Sequence, residues 1–149
     1  MSHWNRISPD LGGLVMALAA ILLLEPGCDR SPTIEQRTVS QADVEAVHLV
    51  LLDDGWRVSV TVSHDDSGWD HYADWWRITD RSGRELARRV LRHPHIEEQP
   101  FTRSLDSVAL PPDTGTVVVE AHCSVHGTGG RVVTVDLERN KGPGYSIQR

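Results

Sequence analysis

The chain has 149 residues, of which 39% are hydrophobic, and a formal net charge of −6 at pH 7. This length and apolar content suit one domain with a single core. The acidic balance argues against nucleic acid or an anionic membrane surface as the main partner. In chain order we expect an export signal at 1–27, a flexible tether at 28–44, a β-rich domain at 45–139 and a C-terminal tail without a clear element at 140–149.

The N-terminal segment predicts export. An uncharged apolar run occupies residues 11–24, after Arg6 and before the sequence EPGC. As a helix this run would span about 21 Å, which is short of the ~30 Å that a bilayer core requires. The pattern therefore favours an export signal over a membrane-spanning helix.

The sequence LLLEPGC at 22–28 resembles the lipobox of bacterial lipoproteins, in which the cysteine carries the lipid and becomes the new N-terminus. The resemblance implies lipidation at Cys28 and a protein anchored at the periplasmic face of a bacterial membrane. Glu25 stands where that pattern has an apolar residue, so a secreted form without lipid and an uncleaved anchor are the alternatives. Cys123, the other cysteine, either pairs with Cys28 or is left over, buried or available as a ligand.

From residue 45 onward, short strand patterns alternate with turn residues. The runs at 46–52 and 56–63 predict a hairpin across Asp53-Asp54-Gly55, and the second run alternates strictly between apolar and polar residues. The run at 84–92 also fits a helical period, but the glycine turn before it favours a strand. The remaining predicted strands are 73–79, 105–110, 116–123 and 131–138. Seven short strands indicate an all-β protein, a seven-stranded antiparallel sandwich of the immunoglobulin or fibronectin-III-like kind.

The histidines gather at one end of this predicted sandwich. Successive strands run in opposite directions, so the connections alternate between the two ends of the domain. The connections at 64–72, 93–104 and 124–130 then share one end, which we call the histidine pole. Six of the seven histidines after Cys28 lie on or beside these connections, and His48 lies inside the first strand.

A metal site is the sharpest hypothesis for the histidine pole. Neutral imidazole suits Zn(II) and Cu(II), and a carboxylate or thiolate can complete the coordination sphere. Pro94 biases His93 toward extended geometry, in which His93 and His95 point the same way, so these two are the predicted core ligands. One further ligand is expected from each of the other two connections. The candidate ligands are His93, His95, His64, His71, His122 and His126, and the supporting residues are Asp70, Glu97, Glu98 and Arg103.

The competing hypothesis is a structural or interaction module whose polar loop residues only brace one another. The backbone groups of the longest connection need hydrogen-bond partners, and Glu97 or Glu98 with Arg103 would supply them. Phe101 would plug the end of the core. The pole also suits recognition of an extracytoplasmic protein or another ligand. No catalytic motif stands out, so we expect no enzyme; acid–base pairs at the pole, or Cys123 beside His122 as a nucleophile, are the weakest alternative.

Two stretches, GWDHYADWW at 68–76 and HPHIEEQPFTRS at 93–104, resemble a group of small exported bacterial proteins without a characterised activity. The resemblance covers about residues 46–137 and implies an exported β-rich domain. It implies no substrate and no cofactor, so it does not choose between a metal site and a bracing role.

Overall fold

The computed structural model of the chain describes residues 41–149. The predicted export signal, Cys28 and the predicted tether up to residue 40 lie outside the described residues. Every regular element in the described part of the chain is a strand, and it contains no helix long and apolar enough to cross a membrane. The strands are β1 (Asp43–Leu52), β2 (Gly55–Ser63), β3 (Ala73–Asp80), β4 (Glu85–Val90), β5 (Phe101–Val108), β6 (Thr116–Cys123), β7 (Val133–Asp136), β8 (Lys141–Gly142) and β9 (Tyr145–Gln148).

The strands form two sheets, which confirms the prediction of an all-β, sandwich-like domain. One sheet has the order β5-β2-β1-β9-β8 and the other has the order β4-β3-β6-β7. All neighbouring strands are antiparallel except β1 and β9, which pair in parallel. The fully buried side chains include Leu49 and Val60 from the first sheet and Trp76 and Val119 from the second. Each of these side chains stabilises the fold by about 1.5–3 kcal/mol through burial.

The predicted count of seven strands is wrong because residues 140–149 are not a tail without structure. Tyr145 and Ile147 of β9 are buried, Ser146 is exposed, and the strand extends the first sheet beside β1. The run is only four residues long and follows Gly142-Pro143-Gly144, so its alternation is too short to be recognised as a strand. On the N-terminal side of the domain, β1 begins at Asp43, inside the segment 28–44 that was predicted to be a tether.

Strand β5 begins four residues before its predicted start, and this shortens the longest connection. Phe101 is buried opposite Val62, while the hydroxyls of Thr102 and Ser104 make hydrogen bonds of 2.8 Å to hydroxyls on β2. Residues 101–104 therefore belong to the sheet and not to the loop. The burial of Phe101 agrees with its predicted role as a plug in the core.

The histidine pole exists as one end of the domain. Ala73 at the start of β3 pairs with Cys123 at the end of β6, and Phe101 at the start of β5 pairs with Val62 near the end of β2. The described chain also begins here, because the backbone N–H of Arg131 donates to the Asp43 carboxylate. The connections after β2, β4 and β6 thus meet at the end where the chain enters the domain.

Candidate functional site at the histidine pole

Asp66 connects the segments of the histidine pole through one buried carboxylate. Its Oδ1 accepts a hydrogen bond of 2.9 Å from the backbone N–H of Ala73 and lies 2.6 Å from Nδ1 of His64. Its Oδ2 accepts a hydrogen bond of 2.6 Å from the backbone N–H of His95. The connection after β2 is therefore fixed to the start of β3 and to the connection after β4.

The charge on Asp66 is stabilised by these donors. Burial alone would raise the pKa of the carboxyl, but the hydrogen bonds from His64, His95 and Ala73 together outweigh it, and the pKa lies below its ordinary value. Asp66 is thus ionised at neutral pH although its side chain has no exposed surface. A carboxylate that accepts from Nδ1 of His64 places the proton on that nitrogen and leaves Nε2 with a free lone pair.

Gln99 gives a second connection between the same two loops. Its Oε1 accepts from the backbone N–H of His64 at 3.0 Å, and its Nε2 donates to the backbone carbonyl of His95 at 3.1 Å. The position of both histidines is therefore determined by backbone as well as side-chain hydrogen bonds.

A first group of ligand atoms comes from His64, His71 and Cys123. One ring nitrogen of each histidine and the cysteine sulfur all lie within 4.8 Å of one another. His64 and Cys123 are buried, and His71 is half-buried. Nε2 of His64 has no hydrogen-bond partner among residues 41–149. The thiol is not in a disulfide within that range.

His126 adjoins this first group from the connection after β6. Its Nδ1 lies 3.2 Å from Nε2 of His71 and 3.4 Å from Sγ of Cys123. A tight turn places it there: Cys123 and Gly127 exchange backbone hydrogen bonds, and Gly127 adopts a φ of 74° that favours glycine. The four side chains together are three imidazoles and one thiol, a donor set that suits Zn(II) and Cu(II).

A second group comes from the connection after β4 and contains His93, His95 and Glu98, whose ligand atoms also lie within 4.8 Å of one another. The ring of His95 stacks on Phe101 with 3.8 Å between centroids, and neither of its nitrogens has a hydrogen-bond partner in the described part of the chain. Burial lowers the pKa of His95, and the positive charges of Arg103 and His93 lower it further. The imidazole is therefore neutral and able to accept at neutral pH.

The remaining predicted residues lie apart from both groups. His122 stacks on Trp75 with 4.3 Å between centroids, and its Nδ1 lies 2.6 Å from Asp74. Successive side chains of β6 point to opposite faces, so His122 cannot join Cys123. Asp70 and Glu97 are exposed. The predicted core ligands His93 and His95 thus lie in a different group from His64 and His71, and His122 lies in neither group.

Glu98 and Arg103 form an ion pair of 2.6 Å, as the bracing hypothesis predicts. The roles of Asp66 and Gln99 were not predicted. The sequence offers one signal for Asp66: it lies two residues after His64, directly beyond the strand at 56–63 whose alternate residues are apolar.

A surface depression of about 320 Å³ lies at the opposite end of the domain, lined in part by Asp80, Arg84 and Thr116. Its charged groups already pair with one another: Asp80 binds Arg84 at 2.9 Å, and Arg81 donates to Thr116 at 2.7 Å.

Comparison with known proteins gives one informative similarity. No protein-family model matches the chain, and no solved structure matches it. The chain is 36% identical over 132 residues to a protein of Halomicrobium mukohataei that bears the name "Putative lipoprotein". The match covers 87% of this chain and 65% of that protein, so the chain spans less than two thirds of the length of its relative.

Proposed function

We propose that the protein is an exported, lipid-anchored binding protein that holds a Zn(II) or Cu(II) ion at its histidine pole. Three features support export and lipidation at Cys28: the apolar run at 11–24, the cysteine that follows it, and the name of the relative. Such a protein would lie at the periplasmic face of a membrane. We class the domain as immunoglobulin or fibronectin-III-like, with its first, second and fifth strands in one sheet and its third, fourth, sixth and seventh in the other.

The observation that carries the metal proposal is the state of His64. Its Nδ1 is bound to the ionised Asp66, while its buried Nε2 has no partner among the described residues and belongs to the group of His71 and Cys123. Histidines that bind metals through one nitrogen commonly donate the other N–H to a carboxylate, which orients the ring and increases its basicity. Asp66 and His64 have this arrangement.

The distances in the first group are close to those of a zinc site. Zn–N bonds of about 2.0–2.1 Å and Zn–S bonds of about 2.3 Å in a tetrahedron place the ligand atoms roughly 3.3–3.6 Å apart. The separations of His126 from His71 and from Cys123, 3.2 and 3.4 Å, are similar to these values. The His64, His71 and Cys123 atoms, within 4.8 Å of one another, would move together by about 1 Å.

A structural or interaction module is the second candidate function, and the contacts of Gln99 and of Glu98 with Arg103 favour it. Bracing accounts for the fixed loops. It does not account for the buried nitrogens of His64 and His95 that lack partners in residues 41–149, since an unpaired buried polar group costs about 1–3 kcal/mol. The proposed ion would bind Nε2 of His64.

The test is metal uptake by the purified full chain. After equilibrium dialysis against Zn(II), and separately against Cu(II), elemental analysis gives the number of ions bound per chain. We expect His71→Ala and Cys123→Ser to bind one ion fewer than the wild type. His48→Ala is the matched control, because His48 lies on β1 and contacts Ser146 outside the pole. Equal uptake by all four proteins would refute the proposed ligands.

A further inference from the structure

We propose that the histidine pole holds a second, independent metal ion between His93, His95 and Glu98. This site goes beyond the proposed function, which assigns one ion to the group of His64, His71 and Cys123. The sequence predicted His93 and His95 as ligands of that same ion, but the structure places them in a separate group with Glu98. The inference is therefore two ions with different ligand chemistry at one end of the domain.

His95 is the anchor of the second site. Its side chain is 1% exposed, and both of its ring nitrogens are buried with no hydrogen-bond partner among the described residues. Nε2 lies 3.9 Å from Oε1 of Glu98, and Nδ1 lies 3.9 Å from Oδ2 of Asp66. The nitrogen toward Glu98 is thus the one placed for an ion, and the other lies on the side of Asp66.

His93 and Glu98 complete the ligand set from the solvent side. The ring centroids of His93 and His95 are 4.5 Å apart, and both His93 and Glu98 are exposed. Two histidines and one glutamate form a set that binds zinc with one open position. The second ion would therefore be exchangeable and keep a water ligand, whereas two ligands of the first ion, His64 and Cys123, are buried.

Arg103 does not prevent this use of Glu98. The ion pair joins Nη2 of Arg103 to Oε1 of Glu98 at 2.6 Å, and this is the same oxygen that lies 3.9 Å from Nε2 of His95. A carboxylate has about four lone-pair sites and can accept from arginine while it binds an ion. Arg103 would then orient Glu98 from outside the coordination sphere.

Asp66 lies between the two sites. Oδ1 contacts His64 of the first site, and Oδ2 accepts from the backbone of His95 in the second. One carboxylate thus orients a ligand of each ion. The sites nevertheless differ in one measurable property, because the first contains a thiol and the second does not.

The experiment measures Zn(II) stoichiometry and the Co(II) absorption spectrum of the purified full chain. We expect two zinc ions per wild-type chain, and one per chain in His93→Ala and in Glu98→Gln. Both variants should retain the near-ultraviolet thiolate-to-cobalt band of the first site. Asp65→Asn is the control, because it also removes an exposed carboxylate from the pole, and it should bind two ions.

The two proposals fail in different ways. If His93→Ala and Glu98→Gln bind as much zinc as the wild type, the second site is refuted whatever the first site does. If these variants lose an ion while the wild type shows no thiolate-to-cobalt band, the second site is supported and the first is refuted. Because His93 and Glu98 are exposed, neither substitution removes a buried side chain.

Discussion

Asp66 determines the geometry of the histidine pole because three donors from separate parts of the chain converge on it. They are the backbone N–H groups of Ala73 and His95 and Nδ1 of His64. Hydrogen bonds to a charged group stabilise a fold by about 1.5–3 kcal/mol each, more than bonds between neutral groups. The negative charge is therefore part of the structure of the pole.

Asp66→Asn tests this role. The amide keeps one acceptor oxygen, but its NH₂ would face an N–H donor, so at least one buried hydrogen bond is lost. We expect the free energy of unfolding of the metal-free full chain to fall by about 2–3 kcal/mol, measured by urea denaturation. Asp65→Asn, at the exposed neighbouring position, should change it by less than about 0.5 kcal/mol. Equal effects of the two substitutions would contradict the role of Asp66.

His95 gives the metal-free protein a dependence of stability on pH. Its pKa is lower in the folded chain than its ordinary value, chiefly because it is buried. The unfolded state therefore binds the proton first, and stability is fully present above about pH 6.5 and falls as the pH decreases toward the folded pKa. Asp66, whose folded pKa is also lowered, adds a loss of stability at more acid pH.

His95→Phe separates this contribution from that of the other histidines. Urea denaturation between pH 7.5 and 5 should show a smaller loss of stability in the variant than in the wild type, because phenylalanine has no proton to bind. The aromatic ring can still stack on Phe101, so the core contact is retained. Identical pH profiles would show that His95 is not protonated preferentially in the unfolded chain.

At the residue scale, the sequence predicted that the histidine-bearing connections share one end of the domain, but not how their side chains divide. The histidines and Cys123 could be placed at one end because strand direction alternates along the chain. The division into two groups depends on Asp66 and Gln99. Asp66 binds His95, which is 29 residues away, and Gln99 binds His64, which is 35 residues away. Spacing within a short motif carries no information on such contacts.

At the scale of elements, the close contact between the chain entrance and the connection after β6 fixes one side of the pole. A Cβ atom at Gly130 would overlap the backbone carbonyl oxygen of Ala42. The backbone N–H of Val44 donates to the carbonyl of Arg131 at 2.8 Å, so neither segment can move without loss of a hydrogen bond. This connection therefore needs glycine at position 130.

Gly130→Ala should destabilise the domain by about 1–3 kcal/mol, as substitutions that overfill a packed site do. Gly115→Ala is the matched control, because a Cβ there would have no neighbour within 4 Å and the φ is not positive. Thermal unfolding of both variants measures the difference. A melting temperature of Gly130→Ala equal to that of Gly115→Ala would contradict the close approach.

The strands with clear alternation over eight or nine residues, β2 and β6, could be predicted from the sequence almost to their ends. The start of β5 could not, because Thr102 and Ser104 are polar and their partners are the hydroxyls of Thr61 and Ser59. Strand β9 is held by pairing with β1, almost a hundred residues earlier. In both cases the missing information is a long-range pairing, not a local preference.

At the scale of the whole molecule, the described chain begins at the end that carries both groups of ligands. Gln41 lies against Gly129, and Asp43 binds the backbone of Arg131. The described chain thus enters the domain beside the proposed metal ligands and not at the opposite end.

Cys28→Ser tests the anchor. Without the thiol no lipid can be attached, so in an expressing cell the protein should move from the membrane fraction to the soluble or secreted fraction. Cys123→Ser is the matched control and should remain in the membrane fraction. If Cys28→Ser stays with the membrane as the wild type does, the anchor is not a lipid on that cysteine.

The central claim is that His64, His71 and Cys123 bind one metal ion with the thiol as a ligand, and Co(II) absorption of the purified full chain tests it most directly. A thiolate bound to Co(II) produces an intense charge-transfer band in the near ultraviolet, and a tetrahedral site also gives strong visible bands. On titration of the wild type with Co(II) we expect both kinds of band, with the charge-transfer band saturating at one equivalent. In Cys123→Ser we expect no charge-transfer band. A wild-type spectrum without that band, or one that Cys123→Ser leaves unchanged, would contradict the claim.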